Sequence, residues 1–410
     1  MPSEERQALR ARQLAKLQSL VDVIHEGNAF NIDRLKGVDT SSLESFAATC
    51  PFTDKSMLAA DRAESPPWGT NLTYPLASYT RFVQTSGTTG APMGWLDTPE
   101  SWSAMLDCWR IVYEKAGVRP GADRVFFAFS FGPFLGFWTA FEAAASAGLL
   151  VMPSGGMSSS ARLEAMARYS ATVLCCTPTY ALRLGDLRGD NVHSIRLIIV
   201  AGEPGGSLPS TRKRLEELWP GARVFDHHGL TEVGPVSYED PGSPGTLCIL
   251  EDAYFAEILD DHGNEAPMGG QGELVLTTLD RLGSPLLRYR TGDRVKRAHG
   301  TDGALALEGG VLGRIDDMVV VRGVNIYPSA VEEILRGIDD LVEYRVTQRN
   351  KDFMAELIVE AEFSSNAETA RQNAETALRD AFGLRIPVAV VEDGTLPRFE
   401  FKARRWVSES

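Results

Sequence analysis

The chain is poor in cysteine, has no long apolar run and carries no excess of positive charge. Its five cysteines are scattered with no pair at metal-ligand spacing, which excludes a disulfide framework and a zinc ribbon. Cys175 and Cys176 fall in the apolar run ATVLCCTPTY and are expected as buried strand residues. The longest apolar stretch, VFFAFSFGPFLGFW at 125–138, is punctuated by glycine and too short to span a bilayer. The first twenty residues, MPSEERQALRARQLAKLQSL, are charged and favour a helix without the apolar core of a signal peptide. A cytoplasmic location with no membrane partner is therefore expected. Against 55 acidic residues stand 41 basic ones, a formal charge of −14. That balance rules out a broad polyanion-binding surface, so nucleic acid is not an expected partner. A small anion held by the backbone N–H groups of one loop is still allowed.

What is present is the composition of an ordinary globular protein, 43% apolar and 23% charged over 410 residues. That length exceeds one hydrophobic core and predicts a large body with a smaller domain. Leu14, Leu17, Val21 and Ile24 recur at helical spacing, giving a helix over 5–25 that packs on one side. Helical segments at 100–117, 136–147 and 159–169 alternate with the short runs RVFFAFS, GLLVMP, ATVLCC and IRLIIVAG, as in a parallel sheet covered by helices. Ligands of such sheets sit beyond the carboxyl ends of the strands. From 247 to 312 the pattern alternates between turn residues, as antiparallel strands do. After GRIDD (313–317) a strand, a helix, two strands, a helix over 366–382 and a strand form an α+β module, with Ser329 and Glu332 as a capping box after Pro328.

Five segments could carry chemistry. QTSGTTGAPMGW (84–95) groups Gly87 and Gly90, which let the backbone turn and approach a ligand, with Thr85, Ser86, Thr88 and Thr89 as hydroxyl donors suited to phosphate oxygens. It lacks the lysine of a G-x-x-x-x-G-K-[ST] loop, having Ala91 after Gly90. HHGLTEVG (227–234) offers a ring, a tight glycine and the Mg²⁺-competent carboxylate Glu232. YRTGDR (289–294) sets Asp293 after a glycine, suited to two ribose hydroxyls. GRIDDMVVVRGVNIYPSAVEEIL (313–335) and LPRFEFKARR (396–405) complete the set.

In order and spacing these segments, with AGEP (201–204), resemble those of the adenylate-forming enzymes: acyl-CoA synthetases, luciferases and peptide-synthetase adenylation domains. The phenylacetate–CoA ligase branch is most similar, and the resemblance runs from the N-terminal helix to Lys402. It implies an α/β fold: a large N-terminal body (1–314) of helix-covered parallel sheets with a small β-barrel-like subdomain, binding ATP and the acid, and a small mobile α+β C-terminal lid (315–410). It implies an ATP-dependent reaction in which a carboxylate attacks the α-phosphorus, releasing pyrophosphate, and a thiol then displaces AMP. Lys402 matches the lysine that reaches carboxylate and α-phosphate, Glu232 the Mg²⁺ ligand, Asp293 the ribose ligand and Arg314 a ribose or phosphate contact. Residues 84–90 match the β,γ-phosphate clamp. Gly202, Glu203 and Pro204 with His228, Gly229, Leu230 and Thr231 match other nucleotide contacts. Asp316 matches the hinge carboxylate and Gly323 the strand lining the thiol tunnel.

The sequence departs from the pattern in three places. His228 stands where an aromatic commonly stacks on adenine, and Ala91 where many relatives have lysine. Asp240 and Cys248 stand where relatives carry a Cys and a His; His227, Glu239, Asp240 and Cys248 are read as ordinary surface and core, and no zinc is expected. Phe131 and Phe134, with Phe137 and Trp138 nearby, occupy the place of the acyl pocket. Flat rings pack against rings, so an aromatic acid is expected. The acceptor is expected to be coenzyme A; a carrier-protein phosphopantetheine or an amine is the alternative, and a silent nucleotide-binding homologue a further one. A homodimer is compatible with the resemblance.

Overall fold

The computed structural model describes residues 3–85, 92–189, 191–321, 324–351, 354–399 and 403–409. The predicted N-terminal helix spans Ser3–Gly27. Leu17, Leu20, Val21 and Ile24 bury one side of it against Leu43, Phe46, Phe255 and Leu287, with Leu14 at the edge. Gln13 donates from its amide to the carbonyls of Glu251 and Tyr254 at 2.8 and 3.0 Å, fixing the helix to the body.

The hairpin β1 (Arg81–Gln84) and β2 (Gly94–Asp97) precedes the main sheet, and Gln84 pairs with Gly94. The sheet is parallel and contains β3 (Arg124–Phe127), β4 (Leu150–Pro153), β5 (Val173–Cys176), β6 (Leu197–Val200) and β7 (Arg223–Asp226) in the order β4-β3-β5-β6-β7. Every residue of β5 and β6 is buried, as strands covered on both faces require. Thr177 caps the next helix by accepting from Tyr180 N, with Pro178 in its first turn, so that helix starts directly after β5. All five cysteines are free thiols in the interior.

Six antiparallel strands form a second, curled sheet in the order 237–239, 246–249, 305–314, 289–299, 271–278 and 254–259. A four-stranded sheet follows near the C-terminus, its strands ordered Val388–Val390, Met354–Phe363, Leu341–Lys351 and Trp406–Ser408. Helices Pro328–Arg336 and Ala367–Phe382 accompany it, and Val331, Leu335, Val346, Val359 and Leu378 close a core separate from the large one. The predicted capping box is not formed. Tyr327 is the N-cap with no side-chain cap bond; the Ser329 hydroxyl donates to the carbonyl of Leu312, and Glu332 pairs with Arg336 and Arg405. The helix begins at Pro328, so Ser329 lies inside its first turn rather than ahead of it, and the Leu312 carbonyl of the curled-sheet strand 305–314 takes its hydroxyl. Among the described residues no helix is long and apolar enough to cross a membrane.

Candidate active site

The loops at the carboxyl ends of the parallel strands carry several of the predicted site residues. The chain leaves β3 into Phe131 and Phe134, β5 into Thr177–Thr179, β6 into Gly202–Pro204 and β7 into His227–Glu232. The strand order reverses direction between β3 and β5, the topological position where such sheets bind ligands.

On the side of the curled sheet, Asp293 and Arg314 are direct cross-strand partners. Arg314 Nη1 lies 3.3 Å from Asp293 Oδ1 and donates to the carbonyl of Thr291 at 2.8 Å. Its Nε donates to Asp316 at 3.1 Å, which ties the predicted hinge acid to the same guanidinium. From the opposite side His228 Nε2 lies 3.2 Å from Asp293 Oδ2, and His228 Nδ1 is buried with no hydrogen-bond partner among the described residues. Asp293, 2% exposed, thus stands between a ring from the loop after β7 and a guanidinium from the curled sheet. His228, Asp293, Arg314 and Asp316, picked from separate motifs, are brought together. His227 instead turns inward: its Nδ1–H donates to the carbonyl of Ser237 at 2.5 Å and its ring packs 4.3 Å from that of Trp109.

Glu232 is buried at the end of the next turn, and Lys55 Nζ lies 3.3 Å from its Oε1. Arg281 pins this turn, donating to the carbonyls of Thr231 and Glu232 at 2.9 and 2.7 Å while gripping Asp97 through two bonds of 2.7 Å. Arg62 and Arg281 both lie over the ring of Trp95, 4.7 and 5.4 Å from its centroid. Burial lowers the Arg62 guanidinium to about 10, against the pull of Asp61 and Glu232. Lys55, Arg62, Arg281 and Asp97 were not picked out in the sequence; no motif marks them. Thr85 closes the neck of the glycine-rich segment: its N–H donates to the Met93 carbonyl at 3.0 Å and its hydroxyl accepts from Met93 N at 2.9 Å. That leaves its O–H as a donor. Ser86, Gly87, Thr88, Thr89 and Gly90, like Gly323 and Lys402, lie outside the described residues.

In the loop after β3, Phe131 takes a left-handed backbone conformation (φ 55°), which bulky residues seldom adopt. Its ring meets those of Phe127, Phe129, Trp138 and Phe141 at centroid distances of 5.2–6.5 Å. Phe129 stacks on Phe137 at 4.1 Å, and Phe134 meets Phe137 edge-on at 5.7 Å. The amide of Gln84 donates to the Pro133 carbonyl at 2.7 Å, so this aromatic wall is tied to the hairpin that carries the glycine-rich segment.

Gly202 (φ 96°) and Pro204 are exposed in the loop after β6, whereas Glu203 is engaged by backbone N–H groups of Thr179 and Ala403, both at 2.9 Å. Gly229 and Leu230 form a two-residue strand paired with Gly234–Pro235. Asp240 accepts from the N–H groups of Gly242 and Thr301 and from the Thr301 hydroxyl, and burial pushes the Cys248 thiol up to about 12. Among the described residues no three His, Cys, Asp or Glu side chains are grouped to hold a metal ion. Mg²⁺ makes a different demand, since it is held by one or two carboxylates together with substrate phosphates. The buried carboxylate of Glu232 fits that demand.

The model of the AMP-binding enzyme family matches residues 79–278, and that of the AMP-binding enzyme C-terminal domain matches 323–409. The chain is 31% identical over 384 residues to a phenylacetate-coenzyme A ligase of Aromatoleum evansii, covering 88% of this chain and 83% of the relative. It is 30% identical over 433 residues to one of Thermus thermophilus, covering 96% and 95%. Among solved structures, 2-hydroxyisobutyryl-CoA ligase in the postadenylation state with 2-HIB-AMP is similar at a TM-score of 0.92 and 26% identity, covering 100% of this chain and 90% of that one. Against the same enzyme with CoA in the thioesterification state the TM-score is 0.72 at 27% identity, covering 100% and 91%.

Proposed function

We propose, from the premise that this chain belongs to the AMP-binding enzyme family as an adenylate-forming acid–CoA ligase, that the acid it activates is aromatic, an aryl or arylacetic acid. What supports this is the aromatic wall, with Phe131 held in a left-handed conformation at its centre. A strained residue persists only where its surroundings over-determine it, and such residues gather at ligand sites. The phenylacetate–CoA ligase relatives point the same way. The 2-hydroxyisobutyryl-CoA ligase neighbour defines the rival, a short hydroxy acid.

In the first half-reaction a carboxylate oxygen bonds to the α-phosphorus of ATP as the bond to pyrophosphate breaks. Two anions meet, so rate comes from positioning and from positive charge beside the transferring phosphoryl group. Asp293 accepts from the ribose hydroxyls, Arg314 orients Asp293 and the adjoining phosphate, His228 lies against the base and ribose, and Lys402 neutralises the α-phosphate. Lys55 and Arg62 supply cationic charge near Glu232 of the kind that Ala91 does not. Glu232 would hold Mg²⁺, which when bound neutralises charge across the phosphate oxygens. In the second half-reaction the CoA sulfur bonds to the acyl carbon, the carbon–oxygen bond to AMP breaks, and the thiol proton leaves to water.

The chain divides at 314/315 into a body that binds ATP and acid and a lid that turns between the steps, with Asp316 at the hinge and Gly323 on the incoming strand. The two separate apolar cores support that division. The greater likeness to the postadenylation state supports taking the present orientation as that of the adenylating enzyme. A cytoplasmic location suits both ATP and CoA.

The test is acid-dependent exchange of labelled pyrophosphate into ATP, run with phenylacetate, benzoate and 2-hydroxyisobutyrate, followed by AMP release with CoA, with a phosphopantetheinylated carrier or with an amine. Exchange is expected with the aromatic acids and AMP release with CoA; a preference for 2-hydroxyisobutyrate overturns the aromatic assignment. Lys402→Ala is expected to abolish exchange and spare the reaction of preformed acyl-adenylate with CoA. Equal loss of both refutes the role given to the lysine.

A further inference from the structure

Glu203 belongs to the AGEP segment, where the family resemblance implies a nucleotide contact, but its carboxylate is engaged elsewhere. Oε1 accepts from the backbone N–H of Thr179 at 2.9 Å, in the first turn of helix Pro178–Arg188. Oε2 accepts from the backbone N–H of Ala403, also at 2.9 Å. The first bond lies within the large body. The second reaches across to the closing segment, at the residue that follows Lys402 in the chain.

Two residues on, Arg405 makes a second crossing. Its buried guanidinium grips Glu343 of the small sheet at 2.6 and 3.1 Å, and its Nη1 lies 3.3 Å from both Glu332 and the Thr179 hydroxyl. Trp406 then pairs with Val346 in the small sheet. Residues 403–405 are thus where the last strand of the small unit, before joining its own sheet, touches the body. Both crossings end on the same receptor: the Thr179 N–H supports Glu203, and the Thr179 hydroxyl meets Arg405.

The chemistry of the receptor favours a reversible clip. A carboxylate accepting from amides makes stronger bonds than a neutral acceptor, and a helix N-terminus favours its charge. Burial raises the Glu203 carboxyl above its ordinary range, opposed by the N–H groups of Thr179 and Ala403. A turn of the small unit would remove one of those two donors and leave the other. The bond to Ala403 is therefore specific to one orientation.

We propose that Glu203 is a positioning residue: with Thr179 it latches Ala403 and Arg405 onto the body, sets the register of residues 403–405, directly after Lys402 in the chain, for adenylation, and lets go when the small unit turns for the thiol step. The proposal rests on the two-step reaction above.

The test separates the half-reactions in Glu203→Gln and Thr179→Val full-length enzyme. Adenylation is read by pyrophosphate exchange with phenylacetate, or with 2-hydroxyisobutyrate should that be the acid. Thioester formation is read from the corresponding chemically prepared acyl-adenylate with CoA. Gln keeps only one of the two acceptor oxygens, and loss of one charge-assisted bond corresponds to about a 10- to 100-fold fall in exchange kcat. The KM for ATP should change less than about threefold and thioester formation should be kept or accelerated, since binding common to both states is untouched. Thr179→Val, which keeps the shape and the N–H, should show the same split to a smaller degree, and it serves if the Gln variant fails to fold. Equal losses in both half-reactions, no loss in either, or a raised KM for ATP with kcat kept would each overturn the latch, the last by returning Glu203 to the nucleotide. Absence of exchange in the unmodified enzyme would count against the two-step reaction, whereas an absent split in a working enzyme counts against the latch alone.

Discussion

His227 and His228 are adjacent in the chain and opposite in circumstance. His228 faces Asp293 of the curled sheet, while His227 is buried against Trp109 with its Nδ1–H on the Ser237 carbonyl. Burial pushes His227 down to about 4, with its bond to Ser237 pulling the other way and His228 adding to the fall. The folded protein therefore holds His227 neutral where an unfolded chain, with an ordinary value of about 6.5, takes up a proton. Between about pH 6.5 and 4 the unfolded state binds more protons, so this group's contribution to stability is complete above 6.5 and is lost as pH falls toward 4, by about 3 kcal/mol. His227→Gln, which keeps an N–H for Ser237, should flatten that part of the stability profile. Urea unfolding of both proteins from pH 7 to 4 measures it, and parallel curves would show that another group carries the acid sensitivity. At this scale the sequence displays Glu232 and Asp293 in glycine-flanked motifs and points to Arg314 through the family resemblance, and the fold sets Asp293 against Arg314. Lys55 is not displayed in this way, because a lysine at the start of a short surface helix has no local signature, and only the folded chain brings it to Glu232.

At the level of elements, the strand Tyr289–His299 shows how a motif becomes a site. Gly292 adopts φ +75°, and a Cβ there would stand 2.9 Å from Arg314 Nη2. Its neighbour Asp293 is in register with Arg314, so the missing side chain gives the guanidinium room to approach its carboxylate. Gly292→Ala should cost about 1–3 kcal/mol of stability for the left-handed residue and displace Arg314, raising the KM for ATP. Gly309→Ala is the control: it has the same φ, and its Cβ would meet only Leu312 at an ordinary 3.4 Å. Thermal unfolding should show both losses, while only the first variant should lose ATP affinity; equal KM values for the two would sever the glycine from the site. Alternation and helical spacing made these strands and the crossover helices readable in the sequence, because burial on one or both faces imposes those periods. The capping box failed because Ser329 found the Leu312 carbonyl instead. The strand Trp406–Ser408 was not foreseen: it is three residues long, follows a basic stretch and finds its partner Val346 far back in the chain.

For the molecule as a whole, the seam between the large body and the small α+β unit matters most. Each has its own apolar core. Hydrogen bonds that cross the seam include Ser210 with Glu333, Arg294 with Tyr327, Thr179 with Arg405 and Glu203 with Ala403. Pairs of this kind can be exchanged for water at small net cost, whereas an apolar seam would resist opening. The two-part organisation was legible from length and from the change of pattern after GRIDD; the orientation was not, since it depends on contacts between residues distant in sequence. If the small unit must turn before the thiol can attack, fixing the seam should stop the enzyme between its two steps. Ser210 and Glu333 offer the place, with the Ser210 hydroxyl 2.8 Å from Glu333 Oε2. The five native cysteines are buried, so thiols introduced by Ser210→Cys and Glu333→Cys are the ones a short cleavable bifunctional reagent would join. The linked enzyme should catalyse pyrophosphate exchange yet fail to turn preformed acyl-adenylate and CoA into thioester, and cleaving the linker should restore the second step. A linked enzyme that completes both steps at the unlinked rate would mean that the thiol reaches the adenylate with the small unit where it now stands, and that no rotation separates the two half-reactions.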